Sequence, residues 1–64
     1  MAYYKFKGFL AENGIKQKEV AKILGITANN FSRKINRNGE DFTVEQIATI
    51  CKTYKLDANK FFLN

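Results

Sequence analysis

The sequence contains no histidine, no proline and a single cysteine among its 64 residues. Without histidine, the chain lacks the side chain that most readily moves protons near neutral pH and most commonly binds metals. Cys51 cannot close an internal disulfide, and with no histidine to activate it a Cys–His nucleophile is excluded too. The six carboxylates are scattered along the chain, so an enzyme is not expected, and neither metal, cofactor nor small-molecule ligand is implied. The absence of proline leaves helices uninterrupted. Uncharged apolar runs extend over only a few residues, far short of the roughly 20 that a bilayer-spanning helix needs. The opening MAYYKFKGF lacks the apolar stretch of a signal peptide, which points to a soluble protein of the cytoplasm with no membrane partner.

A chain of this length is expected to form one domain, residues 1–64, and to bury only about 60% of its unfolded surface. Its formal charge is +5, unevenly placed. Residues 1–37 carry eight basic side chains against Glu12 and Glu19, a balance of +6, whereas residues 38–64 carry three against four acidic ones, a balance of −1. A basic half joined to a nearly neutral half suggests one surface for a polyanion and another for a different purpose.

Apolar spacing predicts five helices and no strand. The first, over about 3–12, places Phe6, Phe9 and Leu10 on one side and stops at Asn13-Gly14. The second, about 17–24, uses Val20, Ala21 and Leu24 and stops at Gly25. The third, about 28–37, begins after Thr27 as N-cap, relies on Phe31 and Ile35, and closes at Asn38-Gly39. Thr43 and Gln46 have capping-box spacing at the start of the fourth, whose stripe is Val44, Ile47, Ile50, Cys51 and Tyr54. The fifth, about 58–62, follows Asp57 and carries Phe61 and Phe62. Ile15, Ile26 and Leu56 fall in the turns, where they are expected to plug the ends of the core. Short loops between short amphipathic helices indicate an all-α bundle. Cys51, on an apolar stripe, is expected to be a small buried hydrophobe.

The second and third helices are separated only by Gly25-Ile26-Thr27, and a helix-turn-helix joint needs what these positions supply. Gly25 allows a positive φ, Ala21 permits close crossing, and Ile26 and Phe31 fill the wedge. Through QKEVAKILGITANNFSRKINRNG, residues 17–39, the chain resembles the Cro- and repressor-like (Xre-type) helix-turn-helix regulators, most nearly a small phage Cro-type repressor. The likeness continues through FTVEQIATICKTYKLDANKFF in the same five-helix order. It implies a compact five-helix lambda-repressor-like bundle with a central helix-turn-helix over about 17–37. Two positions depart from the family pattern: Lys16 stands where a capping Thr, Ser or Asn is usual, and Ala28 where Gln or Ser is frequent.

On a helix turning about 100° per residue, Arg33 lies opposite Phe31 and Ile35, flanked by Asn29 and Asn36, with Ser32 and Ala28 towards one edge. Arg suits guanine, Asn adenine, Ser either, and a methyl group thymine. The resemblance places the base readers at Ala28, Asn29, Ser32 and Arg33, in agreement with the wheel, Asn29 and Arg33 leading. Asn30 points off this arc and is expected to bond locally. Phosphate contacts are expected from Gln17 at a helix N-terminus, from Thr27, and from Asn36, Arg37 and Asn38 at the helix exit. Lys5, Lys16, Lys18 and Lys34 would add general attraction.

The expected function is therefore sequence-specific recognition of double-stranded DNA, and the resemblance implies a phage or prophage repressor in the bacterial cytoplasm. The expected partner is a pseudo-palindromic operator bound by a homodimer, which forms in solution or only on DNA. The Phe and Tyr residues are expected in the core first, and Phe42, Tyr54, Phe61, Phe62 and Leu63, in the nearly neutral half, are the candidates for a dimer surface. The alternative is a protein-docking module, antirepressor- or antitoxin-like, that keeps the helix-turn-helix fold.

Overall fold

A computed structural model describes residues 2–63. Among them the elements are α1 (Tyr4–Glu12), α2 (Gln17–Leu24), α3 (Ala28–Ile35), α4 (Val44–Tyr54) and α5 (Ala58–Phe61), with no strand. The all-α, five-helix helix-turn-helix bundle expected from the sequence is the observed fold. α2 packs on α3 and α4, while α5 closes against α1 and α4.

Local chemistry explains where the helices begin. Thr27 Oγ1 accepts the Asn30 backbone N–H at 3.1 Å and starts α3. Thr43 and Gln46 form a reciprocal capping box on α4, at 3.0 and 3.1 Å. Asp57 accepts the Asn59 N–H at the start of α5. At α2 the cap residue is Lys16, whose side chain has no acceptor, so only half of a box survives: Glu19 Oε1 accepts the Lys16 N–H at 3.4 Å. The Thr usual there would contribute about 1 kcal/mol more.

Four helices end in the same way. Ile15, Ile26, Asn38 and Leu56 donate their N–H groups back to Leu10, Ala21, Arg33 and Cys51 across a left-handed residue, the Schellman arrangement. Gly14 and Gly25 occupy two of the left-handed positions, at φ 65° and 72°. Arg37 and Lys55 occupy the others, at φ 52° and 57°. The expectation that α3 runs to residue 37 is thereby corrected: it ends at Ile35, Asn36 caps it, and Arg37 makes the reversal two residues before Gly39. Ile15, Ile26 and Leu56, which follow the turns of α1, α2 and α4, pack against the core.

The core is largely aromatic. Phe42, in the α3–α4 loop, lies 5.5–6.3 Å, ring centroid to centroid, from Tyr3, Phe6, Phe31 and Phe62. Val20, Ala21, Ile35 and Ile50 complete the buried set with Leu10. A second group joins Phe9 to Tyr54 and Phe61, at 6.1 and 5.8 Å. Two expectations fail here. Phe42 and Phe62 are 7% and 5% exposed, hence core residues and not a dimer surface, because Phe42 fills the space between Phe6 of α1 and Phe31 of α3 while Phe62 packs on Tyr3, Phe6 and Phe42. Val44 is 84% exposed and not part of the α4 stripe. As the first helical residue it leans towards the N-terminus, beyond its neighbours.

Truncating Phe42 to Ala should destabilise the protein by about 3–5 kcal/mol, the cost of deleting a buried ring that the surroundings cannot refill. Urea unfolding followed by circular dichroism measures this, and a loss below about 1 kcal/mol would remove Phe42 from its central place.

Candidate nucleic-acid interface

α3 carries no carboxylate, and its packing decides what it shows to solvent. Phe31 and Ile35 are fully buried, so Ala28, Asn29 and Arg33 stand exposed on the opposite side, with Ser32 half-buried at the edge. Asn30 is half-buried, and its backbone N–H is taken up by Thr27. Of the expected phosphate contacts, Lys5, Lys16, Lys18, Thr27, Arg37 and Asn38 are exposed, and Gln17 and Asn36 half-buried.

Several of these side chains are already engaged. Asn36 donates through Nδ2 to the Ser32 carbonyl at 2.8 Å and accepts the Lys7 ammonium on Oδ1 at 2.8 Å. Lys7 therefore reaches from α1 to the exit of α3, a position that its helical spacing alone did not reveal. Lys34 is only 13% exposed along its side chain, donates to the Asp41 carbonyl at 3.0 Å and lies 3.8 Å from Glu40. Its charge is spent within the protein. Arg33 Nε lies 3.4 Å from Glu40 Oε2. Arg37 donates to Asp41 at 3.1 Å and stacks over the Tyr3 ring, 5.0 Å from its centroid.

Asp41 is the hub of the helix exit. It accepts the Tyr3 hydroxyl, the Arg37 guanidinium and the Phe42 N–H. The Tyr3 hydrogen bond, more than the Phe42 N–H or the Arg37 charge, holds the Asp41 carboxyl below the usual carboxylate range. Tyr3 is pushed up to about 12, by burial first and by its hydrogen bond to the Asp41 anion second. The Tyr3 backbone N–H also donates to the Ile35 carbonyl at 2.9 Å, so the segment before α1 is tied both to the end of α3 and to the loop after it. Elsewhere, burial pushes the Cys51 thiol up, with Asp57 adding to it, which suits a small hydrophobe and not a thiolate nucleophile.

No group of acidic or sulfur side chains among the described residues could hold a metal ion, and no described helix is long and apolar enough to cross a membrane. What the arrangement offers is a carboxylate-free helical face with amide, hydroxyl and guanidinium groups. Four cations (Lys7, Arg33, Lys34 and Arg37) are gathered at its exit against two carboxylates.

The Tyr3–Asp41 pair sets a pH response. The lowered Asp41 carboxyl adds stability above its unfolded value near 3.9, lost as pH falls through the lowered folded value. The raised Tyr3 hydroxyl adds stability fully present below about 10, lost as pH rises through about 12. Urea midpoints taken across pH should fall at both ends, and Tyr3→Phe should reduce the alkaline loss. An unchanged alkaline limb in that variant would show the hydroxyl to be uncoupled from folding. Tyr54 and Cys51, also raised by burial, contribute to what remains of the alkaline loss.

Among characterised proteins and solved structures, none gives a significant match to the chain. The family model of the Cro/C1-type helix-turn-helix DNA-binding domain matches residues 5–58, from within α1 to the start of α5, and so spans the joint, the exposed face of α3 and the loop behind it. That match covers most of the chain, and the all-helical fold is consistent with it. The protein belongs to the Cro/C1-type helix-turn-helix DNA-binding family, whose members bind DNA as regulators.

Proposed function

We propose that this protein is a repressor of phage or prophage origin, Cro-like in action, which reads a pseudo-palindromic operator with α3 in the major groove. The observation that carries this reading is the face of α3 opposite Phe31 and Ile35. It exposes Asn29, about half of the Arg33 side chain and part of Ser32, with no acidic residue on the helix. Asn29 and Arg33 are the main base readers in this proposal, Arg33 on guanine and Asn29 on adenine. Ser32 adds a hydroxyl, and Ala28 can offer only a methyl contact. Gln17, Thr27, Arg37 and Asn38 clamp flanking phosphates, with Lys5, Lys16 and Lys18 adding attraction. Lys7 joins them, and Lys34 and Asn36 act chiefly from within by shaping the helix exit.

One such helix reads few base pairs, so two copies are proposed, their recognition helices centred about 34 Å apart. The Cα envelope measures 24 × 22 × 21 Å. Two bodies of that size can sit side by side at that spacing, paired in solution or only on the operator. With Phe42 and Phe62 committed to the core, exposed Leu63 and half-buried Tyr54 and Phe61 remain for that contact. Repression then follows from occupying the operator and excluding polymerase, in the cytoplasm of the bacterial host.

Selection from a random duplex pool should enrich a near-palindrome. Affinity for it should fall steeply as log K against log salt, because bound phosphates release counterions. Arg33→Ala should weaken binding by about 1–3 kcal/mol and relax one base position, and Asn29→Ala should relax another. Flat salt dependence, with site preference intact in both variants, would instead favour the protein-docking module.

A further inference from the structure

We propose that Glu40, which lies outside the recognition helix, is a specificity-determining residue. It positions Arg33 for a base edge and turns phosphates away from it. The inference rests on the reading of α3 as the base-reading helix. The Glu40 carboxylate is fixed at the root of the recognition face by two ion pairs. Its Oε2 lies 3.4 Å from Arg33 Nε and its Oε1 3.8 Å from Lys34 Nζ. Lys34 is itself held by the Asp41 carbonyl, so the carboxylate has an anchored partner and does not simply follow a mobile arginine. The next residue back, Gly39, has φ 82°. Arg33 Nη2 lies 3.8 Å from the point where a Cβ on Gly39 would sit, so the guanidinium lies along the loop.

An arginine has two useful edges. Glu40 takes the Nε side and leaves the Nη1 and Nη2 donors, the pair that meets guanine O6 and N7. An unrestrained arginine would swing to any phosphate, because a phosphate is equally attractive at every sequence. A fixed carboxylate beside the guanidinium opposes that, since a phosphate approaching Arg33 must also approach Glu40. A base edge carries only the partial charges of its acceptors and meets much less repulsion than a phosphate anion. The penalty therefore falls on binding to arbitrary DNA more than on binding to the correct site, which is how one acidic residue on a basic surface raises discrimination.

The test compares the full chain with Glu40→Gln, Arg33→Ala and the double variant. Each is titrated with the selected operator, with its single-base variants and with random duplex at several salt concentrations. Glu40→Gln should bind random duplex about 3–10-fold tighter at low salt, with a salt slope steeper by about 1 as Arg33 becomes free to take a phosphate. Discrimination at the one position relaxed by Arg33→Ala should fall several-fold, and Glu40→Gln should have no further effect there once Arg33 is absent. Equal tightening on operator and random duplex with discrimination intact would overturn the proposal, as would the same loss of discrimination in the Arg33→Ala background. If Arg33→Ala left every position unchanged, the base-reading assignment would fail and the role of Glu40 with it. If Arg33→Ala relaxed one position while Glu40→Gln did not, only the role of Glu40 would fail.

Discussion

The packing of Phe31 against Phe42, their ring centroids 5.5 Å apart, is the contact on which the rest depends. α3 is eight residues long and includes two Asn and a Ser, poor helix formers whose side chains compete for backbone hydrogen bonds. A helix that short is marginal in water by itself. It persists because Phe31 and Ile35 are locked in the core and because Thr27 and Arg37 close its ends. Phe42 in turn touches rings from the segment before α1, from α1 itself and from the end of α5. The core therefore sets both the existence of α3 and its rotation, and the opposite face is left free to carry residues chosen for another purpose.

The loop after α3 connects that core to the charge pattern. Phe42 faces inward, while Glu40 and Asp41, the two residues before it, engage Arg33, Lys34 and Arg37. Each pair is at least partly solvated, so none contributes much to stability by itself. Their effect is geometric: they fix where the cations at the helix exit stand. Lys34 is folded inward and Lys7 is brought across from α1. The charges at the helix exit are thus ordered, with Glu40 and Asp41 set among four cations.

Much of the fold was legible in the sequence because it is encoded locally. Thr27, Thr43 and Asp57 mark helix starts by side-chain chemistry that acts within three residues, and Gly14 and Gly25 mark ends by their tolerance of positive φ. The rotation of α3 followed from Phe31 and Ile35 alone. The end of α3 was misjudged because Arg37, with no compositional signal for it, adopts the left-handed turn. Phe42 and Phe62 stand in the sequence as candidates both for the core and for a dimer surface, because a lone aromatic in a loop or near a terminus has no periodicity to reveal its side. Val44 fitted the α4 wheel but sits beyond the helices that could cover it. The Tyr3–Asp41 and Lys7–Asn36 contacts join residues 38 and 29 apart, and no local pattern announces such pairs. The same holds for the commitment of Lys34, which on a wheel is simply one more cation.

The central claim is that the core turns one face of α3 outward to meet DNA. Backbone amide shifts of the isotopically labelled protein, followed by NMR during titration with the selected operator, test it most directly. Large perturbations are expected at Ala28, Asn29, Ser32 and Arg33, with smaller ones at Gln17 and at residues 36–40. Perturbations centred instead on α4 or α5, with α3 unmoved, would contradict it.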